Sequence, residues 1–278
     1  MKRLLICFAT LLCCCILHAQ AVSLPPYATE HTAGNVAYYE EHSFNLWNLR
    51  LTSGNGQTVQ SIKRPESIVC HEFDEYGNET VITRYVQRDA NVGSVGMDDE
   101  GNIDFQANEI SRSVPDTRTL MSYDEANHLI TRYVWSFDAA DSVIIRSDSC
   151  LYDSTGVWMG VIMLRDSMMM TGQLEKQGRN GWNIVFSDGT DEQYRFDPDR
   201  NITRYTDRDG MTTRYTYNER GNVIRQTSEW RDGSELNVIF EDFEYDENGN
   251  WTKCTRKVKD PGESPRSVKI IERTYIYR

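Results

Sequence analysis

Histidines, cysteines and closely spaced acids are the residues with which this chain could do chemistry. Beyond the first twenty-one residues the histidines are His31, His42, His71 and His128. None is spaced with a second His or Cys as a metal site requires, and His71 and His128 flank turn sequences, which favours packing or surface roles. Carboxylates are plentiful, 42 Asp and Glu against 30 Lys and Arg. A glycosidase needs two of them free at a fixed separation across a cleft, whereas here the prominent Asp residues stand where a turn needs one. The sequence contains no G-x-S-x-G elbow, H-E-x-x-H or phosphate loop. The nearest approach to a metal loop is Asp197-Pro198-Asp199-Arg200-Asn201, whose alternating oxygen side chains resemble a calcium loop. The required Gly is missing, and Arg208 stands at the twelfth position, where a bidentate Glu is needed. A metal-free turn is the expectation.

Three cysteines, Cys70, Cys150 and Cys254, remain beyond the leader. Three cannot all pair, and the chain is not a disulfide framework. Cys70 and Cys254 lie beside turns and are expected as buried strand residues. Trp47, Trp135, Trp158, Trp182, Trp230 and Trp251, with fifteen tyrosines, suit sheet packing; a sugar-stacking surface is the alternative. No catalytic, cofactor-binding or metal-binding residue is assigned, so the chain is read as a non-enzyme without a cofactor.

What must position these residues is a recurring turn: Asp or Asn, two free positions, then Gly. It occurs at Asp74–Gly77, Asp98–Gly101, Asp153–Gly156, Asp207–Gly210, Asn218–Gly221 and Asp246–Gly249. The first residue accepts a backbone hydrogen bond from two positions on, and Gly supplies the left-handed conformation that lets the chain re-enter a ladder. Asp124–Asn127 places Asn where Gly stands elsewhere, which Asn tolerates. Asp197–Arg200 is the poorest copy, because Arg there is strained or needs another turn type. Tyr or Phe precedes most copies, and Thr-Arg-Tyr recurs at Thr83–Tyr85, Thr131–Tyr133, Thr203–Tyr205 and Thr213–Tyr215. Thr and Tyr favour strands. Asn180-Gly181 and Asp188-Gly189 add hairpin signals.

The runs Tyr217-Asn218-Glu219-Arg220-Gly221-Asn222, Tyr245-Asp246-Glu247-Asn248-Gly249-Asn250 and Phe73-Asp74-Glu75-Tyr76-Gly77-Asn78 resemble the YD repeat of RHS proteins. Thr206-Asp207-Arg208-Asp209-Gly210 resembles that repeat's alternate corner. The resemblance covers residues 70 to 255 and is densest from 194. It implies hairpin repeats of about 20 to 29 residues. Long family members wind such strands into a spiral sheet that can form a shell around a toxin. This chain is short, and it carries no run resembling a toxin domain or peptidase-like ending.

Around the repeats, residues 1–21 are read as a signal peptide: Lys2 and Arg3, the apolar run Leu4–Leu17, then Ala19-Gln20-Ala21. The mature chain is expected in the periplasm, at the cell surface or secreted, without membrane insertion. Losing Lys2 and Arg3 takes the net charge from −12 to −14, which argues against nucleic acid as a partner. Residues 22–69 are expected to cap the sheet. Within them Val36–Leu51 reads as strands or a short helix. Residues 70–278 form the repeat sheet. Met168-Met169-Met170 reads as adaptable packing at an irregular place in the sheet, with a functional Met surface as the alternative. The fold class is all-β, a curved antiparallel meander of YD-type hairpins. The function read from it is an exported, non-catalytic repeat protein offering its sheet to a protein or glycan. A passive envelope component is the alternative, followed by a toxin relative or a hydrolase.

Overall fold

The computed structural model describes residues 32–53, 56–87, 94–97, 103–106, 110, 112, 114–137, 141–165, 167–199, 201–259, 265 and 267–278. The leader, His31, the Asp98–Gly101 corner and Arg200 lie outside them, as does the side chain of Trp47. In chain order the strands are β1 (Val36–Ser53), β2 (Gly56–Phe73), β3 (Glu79–Val86), β4 (Ser94–Met97), β5 (Ile103–Gln106), β6 (Thr117–Tyr123), β7 (Leu129–Phe137), β8 (Ser142–Tyr152) and β9 (Trp158–Arg165). They continue as β10 (Met168–Lys176), β11 (Gly181–Phe186), β12 (Asp191–Phe196), β13 (Ile202–Thr206), β14 (Thr212–Tyr217), β15 (Val223–Glu229), β16 (Glu235–Tyr245), β17 (Trp251–Lys259) and β18 (Ser267–Tyr277). No described residue is helical, so the chain is all-β, and Val36–Leu51 is strand.

Two compact units divide the chain. The first comprises Leu120–Val134 and Ile144–Tyr215. Within it each strand pairs antiparallel with the next from β8 to β14. Its core is built from one face of these strands, including Cys150, Trp158, Val161, Met163, Met170, Ile184, Phe186 and Tyr194. Strand alternation explains the selection: Val161 and Met163 point to the core, whereas Ile162 and Leu164 between them point away. Each such large side chain contributes about 1.5–3 kcal/mol by leaving water.

The second unit comprises His31–Thr119, Trp135–Val143 and Thr216–Arg278. Here β15 pairs with β16, β16 with β17, β17 with β18, β18 with β1, β1 with β2 and β2 with β3, all antiparallel. The last strand thus lies between β17 and β1, and the first between β18 and β2. The pairing of β1 with β18 runs over Val36–Asn45, and that with β2 runs on to Ser53. Strands β4 and β5 form a separate hairpin.

The corners share one backbone. At Asp74 the amide donates to Asn78 O at 2.9 Å, and Gly77 N donates to Asp74 O at 3.1 Å. The same pair of bonds closes the corners at Asp124, Asp153, Asp207, Asn218 and Asp246. The Asp207 carboxylate accepts from Asp209 N and Met211 N at 3.0 and 2.9 Å. Gly221 has φ 79°, and Asn127 reaches φ 63°, as the turn chemistry requires. Identical backbone bonds close Phe186–Thr190 and Trp230–Ser234. There the acid has moved two places: Asp188 accepts from Thr190 N and Oγ1, and Asp232 from Ser234 N and Oγ.

Candidate functional site

Each titratable cluster proves to be tied into the fold. In the second unit Tyr38, Glu40 and His42 alternate along β1 and share a face. Glu40 accepts from Tyr38 Oη at 2.5 Å and lies 2.9 Å from His42 Nε2. Arg112 closes a bidentate pair on it at 2.7 and 2.9 Å. Arg112, the stronger influence, with Tyr38 and His42 holds the Glu40 carboxyl at about 2 against an ordinary 4.5, although burial opposes the shift. Opposite Glu40 in the ladder stands Cys70, whose thiol burial pushes up. Burial and the facing Glu40 carboxylate both disfavour the thiolate form of Cys70.

On the other face of β1, the Arg273 guanidinium lies 3.6 Å from the Trp251 ring centroid and 4.8 Å from that of Tyr39. Glu41 accepts from it at 2.7 and 3.0 Å. His71 stacks on Tyr39 at 4.1 Å and touches Glu79 at 2.5 Å. This histidine packs inside the sheet. In the first unit His128 reaches Asp124 at 2.9 Å and stacks on Tyr152 at 4.9 Å. Asp148, fully buried, receives Arg146 Nε at 2.8 and 2.9 Å and stands 3.7 Å from Arg132. No local pattern marks this pair beyond an Asp where strand alternation demands an apolar side chain.

The Asp197 carboxylate accepts from Asn201 N and Nδ2 at 2.8 and 2.9 Å, so its oxygens serve the turn. Among the described residues no group of three His, Cys, Asp or Glu could hold a metal. Cys70, Cys150 and Cys254 are buried and form no disulfide.

Three tyrosines have a role that spacing does not reveal: Tyr245, Tyr277 and Tyr152 dock on or beside an earlier corner. Tyr245 Oη accepts from Asn218 Nδ2 and Asn222 Nδ2 at 3.2 and 3.1 Å, and Arg220 lies over its ring at 4.1 Å. Tyr277 accepts from Asn250 Nδ2 at 2.8 Å and donates to Asp246. Tyr152 donates to Leu129 O at 2.9 Å. The aromatic and the Asn of the repeat are thus two halves of one contact between successive hairpins.

What remains free is a surface. In the first unit β8, β9 and β10 align in rows Ser147–Leu164–Met169, Ser149–Ile162–Thr171 and Leu151–Gly160–Gln173 on the face turned from the core. None of these side chains is charged. Met169 is 75% exposed and Leu164 41%. Of the Met run, Met170 packs in the core while Met168 and Met169 stand in solvent.

An antiparallel sheet of hairpins joined by Asx corners, several of them touched by a later tyrosine, defines a β-repeat protein. Residues 188–235 match the RHS Repeat family, and this stretch is an RHS repeat. No curated protein matches the chain. Among solved structures the chain is similar to a porin-like protein from Bacteroides uniformis, at 10% identity and TM-score 0.36, over 91% of this chain and 100% of that one. It is also similar to the TcdB2-TccC3-Cdc42 structure at 11% identity and TM-score 0.29, over 80% of this chain and 14% of that one. For TcdB2-TccC3 alone the identity is 11% and the TM-score 0.28, over 81% of this chain and 15% of that one. No helix among the described residues is long and apolar enough to cross a membrane.

Proposed function

We propose that this chain is an exported, non-catalytic repeat protein whose sheet binds a protein or glycan partner. The supporting observation is the three uncharged rows on one face of β8–β10, with Leu151, Leu164 and Met169 exposed, on a chain of net charge −12. Solvent-facing rows of such a chain ordinarily carry charge, and an exposed apolar patch is a recognition surface. His42, His71 and His128 lie against carboxylates, and the corner acids hold turns. The test is binding of the chain to glycan and surface-protein arrays, with and without calcium. A specific hit that is lost in Met169→Glu supports the reading; blank arrays, or a hit indifferent to that change, sink it.

A further inference from the structure

A second surface, in the other unit, carries different chemistry. Thr216, Ile224, Arg225, Ile239 and Phe240 line an open hollow of about 440 Å³, within the usual size of about 300–1,000 Å³ for small-ligand sites. Its walls are mainly apolar. Arg225 and Ile239 stand directly opposite each other in the β15–β16 ladder, and Lys257 flanks Ile239 from β17. The two cations differ. Glu241 neutralises Lys257, whereas Arg225 is exposed and has no hydrogen bond or ion pair to another described residue. In a chain with more acids than bases, an arginine left unpaired at the wall of an apolar hollow keeps its planar fork of donors available for a carboxylate.

We infer that this hollow binds a small carboxylate with an apolar body, the carboxylate on Arg225 and the body against Ile239, which shares its face of the ladder. Charge complementarity chooses the occupant: a neutral apolar molecule leaves the guanidinium unused, and a cation is repelled by it. The site is separate from the face of β8–β10, so it stands or falls independently of the partner proposed above.

The test titrates the purified full chain with octanoate and with octanol by calorimetry. Octanoate is expected to bind saturably and octanol more weakly. Arg225→Gln should weaken octanoate about tenfold, the loss of one charge-assisted contact, and leave octanol within about twofold. Arg225→Lys should retain part of the octanoate affinity, and Ile239→Ala should weaken both ligands. Arg225 is exposed, so its variants should melt with the parent. Absence of saturable octanoate binding overturns the inference, as does an affinity that Arg225→Gln leaves unchanged.

Discussion

Replacing Gly221 by valine isolates the contribution of one corner. Gly221 sits at φ 79°, and a Cβ built on it meets nothing within 4 Å. No steric contact with a neighbour enters, and the cost is that of holding an L residue in the left-handed region, about 1–2 kcal/mol. A β-branched side chain falls at the upper end, so Gly221→Val should cost about 2 kcal/mol and Gly221→Ala about 1 kcal/mol. Gly221→Asn should cost a few tenths, since Asn127 already occupies the equivalent position of another corner. At about 2–4 °C per kcal/mol, valine should lower the melting temperature by roughly 4–8 °C. Gly156 provides the control. It too has positive φ, but a Cβ there would lie 2.9 Å from His128 Cε1, so Gly156→Ala must also displace the ring from Tyr152 and should cost more than Gly221→Ala. Thermal and urea unfolding of the four variants measures all of this. A valine variant as stable as the parent refutes the reasoning, and so does an asparagine variant as damaged as valine.

Glu40→Gln should flatten the acid limb of stability. Its carboxyl is held at about 2 in the fold against 4.5 ordinarily, so its contribution is present above 4.5 and is lost as pH falls through about 2. Arg112 is half-exposed, and screening reduces the effect to about 1–2 kcal/mol; equal pH profiles for parent and variant would contradict it. Asp148→Ala leaves Arg146 and Arg132 around an uncompensated buried void and should cost about 3–5 kcal/mol in urea unfolding, whereas a loss below about 1 kcal/mol would mean the pair is not desolvated. Burial pushes the Cys150 thiol up to about 12, and Cys70 and Cys254 are buried with it. Peptide mapping after native alkylation should find these three unmodified, and modified after unfolding; native labelling would place them at the surface. Calcium or a chelator should leave the melting temperature unchanged, because Asp197 is occupied by Asn201; a calcium-dependent rise would restore a metal role to that loop.

The corners were legible because turn chemistry is local. An Asx side chain and a Gly with positive φ act within four residues, and the copies at Asp74, Asp153, Asp207, Asn218 and Asp246 form as their residues dictate. The Trp230–Gly233 corner escaped that pattern because Asp232 caps from the third position instead of the first. The strands were legible from Thr, Tyr and Val content, and their faces less so. Thr213, Arg214 and Tyr215 alternate buried, exposed and half-buried, yet the same tripeptide at Thr131–Tyr133 turns Arg132 towards Asp148 and Tyr133 to solvent. Bulges such as that between Leu151 and Tyr152 shift the two-residue period without a sequence mark. Long-range partners were not legible at all. Neither the docking of Tyr245 on Asn218 and Asn222 nor the Arg112–Glu40 pair follows from spacing, because each depends on how hairpins stack. The Met168–Met170 run suits adaptable packing or a functional Met surface, and strand alternation divides it: Met170 packs, while Met168 and Met169 face solvent.

The most direct test of the account is hydrogen exchange of the chain with and without the strongest array ligand. The account predicts slowed exchange confined to β8–β10, with the effect abolished in Met169→Glu while that variant keeps its fold. Protection located on other strands, or unaffected by the substitution, would contradict it.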